Sequence, residues 1–146
     1  MIRNPDHVTI AVADADAAIV FFGLLGFQLR HVAQVDGGEP AAYMGNASMK
    51  AAHITLVLKG SDPAFEIQLL HSTQPLPDGQ APARTRNRGF NELAFRVDSL
   101  AETAAHLKAN GVRALTEEMD YISRRLQFFQ GPEQVTIELA EWVEAA

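Results

Sequence analysis

The sequence predicts an α+β fold: two βαβββ modules forming a curved mixed β-sheet around a cavity. The first observation behind this is an internal repeat. Asp6-His7-Val8-Thr9-Ile10-Ala11-Val12 falls on Asn91-Glu92-Leu93-Ala94-Phe95-Arg96-Val97 at an offset of 85, and the same offset places Leu25-Gly26-Phe27 on Asn110-Gly111-Val112. Downstream, Glu66-Ile67-Gln68-Leu69-Leu70 falls on Thr136-Ile137-Glu138-Leu139-Ala140 at an offset of 70, so the first copy carries 15 extra residues. The second observation is strand parity. Side chains alternate faces along a strand, and His7, Thr9 and Ala11 oppose Val8, Ile10 and Val12, while Glu92, Ala94 and Arg96 oppose Leu93, Phe95 and Val97. The third is a Pro/Gly-rich stretch, residues 72–89, with Pro75, Pro77, Gly79, Pro82 and Gly89. It reads as a connector between a first module (1–71) and a second (90–146).

Residues 7–12 alternate as a half-buried strand. Asp14 or Asp16 caps a helix over 17–25, which Gly26 closes. Residues 27–35 form a second strand. Asp36-Gly37-Gly38-Glu39-Pro40 reads as a turn or loop, and 41–50 as a loop or short strand. Residues 53–58 and 64–70 are strands joined by the turn Lys59-Gly60-Ser61-Asp62-Pro63. In the second module 92–97 is a strand. Ser99 caps a helix over 100–110, with Glu102 three positions on as in a capping box, and Gly111 ends it. Residues 112–117, 123–130 and 134–142 supply three strands, the last two joined by Gly131-Pro132-Glu133-Gln134.

Composition narrows the function classes. At 146 residues and 47% hydrophobic content the chain is one domain made of two small modules. No run of about 18 apolar residues suggests a membrane span, and Met1-Ile2-Arg3-Asn4-Pro5 lacks a signal-peptide core; a cytoplasmic location is expected. The absence of cysteine excludes disulfides, thiolate metal sites and a cysteine nucleophile. A net charge of −6 argues against nucleic acid as partner. The basic run Arg84-Thr85-Arg86-Asn87-Arg88 reads as a solvated linker.

Two modules packed about a pseudo-twofold axis bring equivalent positions together. Those positions are His7 with Glu92 and Gln68 with Glu138, so four polar groups are expected to converge. A carboxylate at Glu138, inside an apolar strand, needs a partner.

The segments Asp6-His7-Val8-Thr9-Ile10-Ala11-Val12, Leu25-Gly26-Phe27, Gly89-Phe90-Asn91-Glu92-Leu93-Ala94-Phe95-Arg96-Val97 and Gln130-Gly131-Pro132-Glu133, leading to Ile137-Glu138-Leu139, resemble the vicinal oxygen chelate superfamily. That superfamily includes glyoxalase I, methylmalonyl-CoA epimerase, extradiol dioxygenases and antibiotic-resistance proteins. The resemblance covers nearly the whole chain and implies metal ligands at His7, Gln68, Glu92 and Glu138. The family's usual third ligand is a histidine, and here that position is Glu92. Some members use the fold without a metal to bind drugs or other small molecules.

One imidazole, one amide oxygen and two carboxylates suit Mn²⁺, Mg²⁺, Fe²⁺, Co²⁺ or Ni²⁺. The expected function is divalent-metal-dependent proton transfer, as isomerase or lyase, on a substrate with neighbouring oxygens, with Glu92 or Glu138 as base. A single histidine fits poorly with the two-histidine facial triad of an oxygenase. The alternatives are a metal-free binding or sequestration protein of the bleomycin-resistance type, with Glu92 neutralised by Arg96 or Arg125, or an extradiol-type dioxygenase. Glu66 is the fallback ligand if the register is two residues off. Arg96, Tyr121, Arg125 and Asn46 are the candidate substrate contacts, with Arg124 beside them. Asn46, with Tyr43 and Met44, lies in the 15-residue excess, where function tends to collect. His71 is expected in solvent and Trp142 in the core or an interface. Open sheet edges suggest a homodimer.

Overall fold

Residues 1–77 and 88–143 are described in a computed structural model. Most of the connector and of its basic run, and the last three residues, lie outside the described residues. Two compact units result, Met1–Asp78 and Gly79–Ala146. The first runs β1 (His7–Ala11), α1 (Ala15–Leu24), β2 (Phe27–Asp36), α2 (Gly38–Tyr43), β3 (Lys50–Leu58) and β4 (Glu66–Ser72). The second runs β5 (Leu93–Arg96), α3 (Leu100–Ala109), β6 (Met119–Tyr121), β7 (Arg124–Gln130) and β8 (Thr136–Trp142), with a 3₁₀ turn at Pro132–Gln134. Each unit holds a four-stranded sheet, ordered β1-β4-β3-β2 and β5-β8-β7-β6. In each, the first and last strands are parallel and the other pairs antiparallel. The fold is α+β with mixed sheets.

The helices form where side chains satisfy their ends. Asp14 accepts from the Ala17 amide at 2.9 Å to start α1, and Ser99 accepts from the Glu102 amide at 3.2 Å to start α3. Glu141 from β8 accepts the Leu100 amide at 2.7 Å, tying α3 to its sheet. Gly26 and Gly111, at φ of 91° and 80°, turn the chain out of the two helices. Ala18, Phe21 and Phe22 of α1 are buried, and Phe22 meets Phe27 of β2 edge-on at 5.7 Å between centroids. Leu100, Ala104 and Leu107 give α3 one buried stripe. Under these helices lie Ile67, Leu69, Ile137 and Leu139, all fully buried.

The parallel pairs share one register. Val8 lies opposite Ile67 and Leu93 opposite Ile137; these pairs are related by the offsets of 85 and 70 seen in the sequence. Three elements differ from the sequence reading. The Gly-Gly-Glu-Pro stretch enters a helix, α2, because proline is tolerated in a first turn, where its missing N–H would have no partner. Residues 112–117 do not form a regular strand. Ala114 makes a single bridge to Phe129, and then the Thr116 hydroxyl accepts the Phe128 amide at 3.2 Å, a side chain taking the place of a backbone carbonyl. Regular pairing resumes only at β6. His71 is not a solvated residue beyond β4: it lies within the strand, with Nδ1 3.2 Å from the Val12 carbonyl.

Two glycines make opposite predictions. Gly23 is in α1, and an added methyl group would meet nothing within 4 Å. Gly131 opens the turn before β8, where a methyl group would come within 2.9 Å of Ile137 Cγ1 and 3.0 Å of the Val135 carbonyl oxygen. Gly23→Ala is expected to raise stability by about 0.5–1 kcal/mol and Gly131→Ala to lower it by about 1–3 kcal/mol. Urea titration of both variants checks the signs.

Candidate functional site

In the first unit, helix α1 occupies the face of Val8 and Ile10, which leaves His7 and Thr9 on the other. His7 stands opposite Glu66 and Thr9 opposite Gln68, so His7 and Gln68 share that face. His7 Nδ1 lies 2.6 Å from Asp6 Oδ2. A carboxylate on Nδ1 sets the tautomer and leaves Nε2 as the free lone pair. Gln68 Nε2 donates to Glu66 Oε2 at 3.1 Å, and Arg30 Nη1 donates to Glu66 Oε1 at 3.3 Å. Glu66 is thus engaged on both oxygens. It holds the Gln68 amide nitrogen and leaves Gln68 Oε1 as an acceptor.

In the second unit Glu138 lies opposite Ala94 and Phe128. It is buried, with 6% of its surface exposed. Its neighbour is Glu92, just ahead of β5, close enough for Glu138 to raise its proton affinity through hydrogen bonding and charge. Two carboxylates so close repel, and a proton or a cation between them relieves the repulsion. Burial pushes the Glu92 carboxyl up from its ordinary value, and the bond to Glu138 and the charge of Glu138 push it the same way. Among the described residues no ion pair joins either carboxyl to a cationic side chain.

The arginines that could have neutralised Glu92 are engaged elsewhere. The guanidinium carbon of Arg96 lies 5.4 Å from the Trp142 ring centroid, and that of Arg124 lies 4.5 Å from it. Arg124 pairs across the sheet with both Trp142 and Tyr121. Arg96, Tyr121, Arg124 and Trp142 therefore share the face of Glu138. Arg125 is on the opposite face, in register with Asp120 and Glu141 and 3.9 Å from the Asp120 carboxylate. Trp142 is 47% exposed rather than core. Asn46, in the loop after α2, accepts from the Ser48 amide and hydroxyl at 3.1 and 3.0 Å and donates to Gln74. Its side chain fixes that turn.

The predicted residues come together as pairs, His7 with Gln68 on one face of the first unit and Glu92 with Glu138 in the second. Among the described residues no three His, Asp or Glu side chains form a metal-binding group. The donor chemistry fits a hard divalent cation in part: the carboxyl pair has the right charge and no cationic partner, and His7 Nε2 and Gln68 Oε1 are free donors. Sequence reasoning missed Asp6 as the partner of His7, although adjacency was a signal. It also missed the stacking of two arginines on Trp142, which separations of 46 and 18 residues in sequence conceal.

The comparisons agree with this architecture. The family model of the Glyoxalase/Bleomycin resistance protein/Dioxygenase superfamily matches residues 4–139. A glyoxalase family protein from Bacillus cereus is 28% identical, with a TM-score of 0.86 over 98% of this chain and 96% of that one. TnmS3, an antibiotic binding protein from Streptomyces sp. CB03234, is 20% identical with a TM-score of 0.66, over 97% of each chain. A glyoxalase I mutant from Zea mays is 18% identical with a TM-score of 0.68, over 94% of this chain and 45% of that one. At 20% and 18% identity these two likenesses show the fold alone. No curated protein matches the sequence. With a family match over almost its whole length, the chain belongs to the Glyoxalase/Bleomycin resistance protein/Dioxygenase superfamily.

Proposed function

We propose that the protein is a small-molecule enzyme that moves a proton on a substrate with neighbouring oxygens, as an isomerase or lyase, with the help of a divalent cation. The observation that carries this reading is the pair Glu92–Glu138, two carboxyls in contact without a cationic partner among the described residues. Such a pair repels itself unless a proton or a cation lies with it. Mn²⁺, Mg²⁺, Fe²⁺, Co²⁺ or Ni²⁺ suits carboxylates, an amide oxygen and an imidazole. In this reading Glu92 and Glu138 supply the negative charge, and His7 Nε2 and Gln68 Oε1 are the neutral donors. When bound, a divalent cation stabilises negative charge on substrate oxygens as a Lewis acid.

Burial and Glu138 raise the proton affinity of Glu92, which brings it nearer to the pH at which a base must both accept and return a proton. Glu138, buried and fixed in β8, holds Glu92 in place. Asp6 sets the ring of His7, and Glu66 sets the amide of Gln68. One histidine among the four donors disfavours a ring-cleaving oxygenase, which uses two.

A second reading, a metal-free binding or sequestration protein, draws on one observation: no three acidic or histidine side chains form a group among the described residues. There the carboxyl pair keeps its proton and offers a donor and an acceptor to a neutral ligand. In either reading we propose a homodimer. The outer strands β1 and β2, and β5 and β6, each have one neighbour in their own sheet, and such edges are commonly covered. Light scattering that gives twice the chain mass at micromolar concentration supports it, and a monomer mass overturns it.

Two measurements separate the readings. Mn²⁺ or Ni²⁺ at 100 times its Kd contributes about 2.7 kcal/mol to a protein that binds it only when folded. For a chain of this size the melting temperature should rise by about 5–10 °C. Glu92→Gln should lose most of that rise. Equal melting of the wild type in chelator and in excess metal supports the binding protein.

The second measurement follows pH in metal-free protein. The folded Glu92 carboxyl holds its proton more tightly than the unfolded one. Folded protein therefore binds more protons as pH rises through and above 4.5, the ordinary value. Stability is full below that range and falls as pH rises through the raised value. Glu92→Gln should flatten this decline. Urea midpoints between pH 4 and 8 read the difference.

A further inference from the structure

The far end of the polar face in the second unit carries a cluster that the proton-transfer reading leaves unused. Along β8 the face runs Glu138, Ala140, Trp142, and along β5 it runs Glu92, Ala94, Arg96. The carboxyls sit at one end and the arginines at the other, four residues away on each strand. At the strand rise this is about 13 Å between backbone positions. The two guanidiniums stack on one exposed indole, 5.4 and 4.5 Å from its centroid. Tyr121, 60% exposed, stands in register beside Arg124.

A guanidinium over an aromatic face gains a cation–π contact and still has N–H groups with which to donate. Arg96 and Arg124 make no ion pair among the described residues, in a chain whose net charge is −6. Asp120 and Glu141, in register with Arg125, are on the opposite face and are engaged by Arg125 and the Leu100 amide, and Asp98, two residues beyond Arg96, makes no ion pair with it. Two cations over one aromatic ring, carried by the strands on either side of β8 and without an ion pair among the described residues, can take up an oxyanion.

The first unit shows what this place looks like when it is filled from within. The repeat offsets relate Arg96 to Ala11, Ala140 to Leu70 and Trp142 to Ser72. There, Ala41 of α2 and Met49 pack on Leu70 and Ala51 in a buried cluster. The second unit has no such insertion, since Ile122 and Ser123 alone join β6 to β7. Among the described residues of the second unit no helix takes the place of α2 over its arginines and indole.

We propose that Arg96 and Arg124, stacked on Trp142, bind the carboxylate or phosphate group of the substrate, some 13 Å along the sheet from the Glu92–Glu138 pair. The substrate is then an elongated anionic small molecule, with its reacting oxygens at one end and an anionic group at the other. The inference about its class rests on the proton-transfer reading, but the anion subsite is testable without it.

Trp142 is the only tryptophan in the chain, so its emission reports the site directly. Metal-free protein is titrated with inorganic phosphate and separately with succinate, at constant ionic strength set with chloride. The expected result is a saturable change in emission with at least one of the two. Phosphate alone points to a phosphate-bearing substrate, and succinate alone to a carboxylate. Arg96→Gln, at an exposed position, and Arg124→Gln, at a half-buried one, should each weaken binding about tenfold, the worth of a charged hydrogen bond. Arg125→Gln, on the opposite face, should bind as wild type. A response no different from added chloride, or one equally weakened by all three substitutions, overturns the subsite. Because no metal is present, that failure leaves the test of metal-dependent proton transfer intact.

Discussion

In each unit the first strand lies parallel to the last, and the register of that pairing fixes which groups can act together. A parallel pair requires a crossover, and here the crossover contains the helix. The helix must cover one face of the sheet, so apolar side chains there and polar ones opposite become obligatory. Leu93 opposite Ile137 satisfies the first demand under α3. A slip of one residue would drive Glu138 under the helix and turn Ile137 outward, since strand side chains alternate. The apolar contacts with Leu100 and Leu107 therefore hold the carboxyl pair in place without touching it.

The same face separates charge. Arg96 is on the strand that follows Glu92, with both side chains on one side, yet it does not neutralise the carboxyl pair. Four residues of extended chain exceed the reach of an ordinary ion pair, and Trp142 offers its ring nearer by. A cation over an exposed indole gains about 0.5–1 kcal/mol, comparable to an exposed salt bridge. The outcome is an acidic end with a raised carboxyl and a basic end whose guanidiniums make no ion pair among the described residues. Full neutralisation would have left neither end able to take up a charge from outside.

Much of this was legible in the sequence because period-2 alternation and the repeat constrain each other. The parity of residues 7–12 and 92–97, with the offsets of 85 and 70, put Glu92 and Glu138 on polar faces at equivalent places in the repeat, and the register within each parallel pair came from the structure. What stayed hidden depended on single side chains. Thr116 ends a ladder by offering its hydroxyl, and nothing in its β-forming character announces that. Pro40 reads as a turn residue when it sits in the first turn of a helix. Arg125 and Arg124 are neighbours of the same type, and only the register, which assigns Arg124 to Trp142 and Arg125 to Glu141, shows which one shares the face of Glu138.

Duplication supplies two equal frames, and the units have filled them differently. At the inner positions the first holds neutral donors, an imidazole and an amide, each oriented by a carboxylate beside it. The second holds two carboxyls that orient each other. Neutral groups can be fixed by hydrogen bonds and left in equilibrium with water. A carboxyl pair cannot, because its own repulsion must be met by a proton or a cation. The second unit is therefore the one whose state depends on what it binds. Its outer positions follow the same logic, with guanidiniums that make no ion pair among the described residues where the first unit has Ala11, Leu70 and Ser72. A fold held by apolar registers can carry such unsatisfied charge, because its stability is secured on the other face of each sheet.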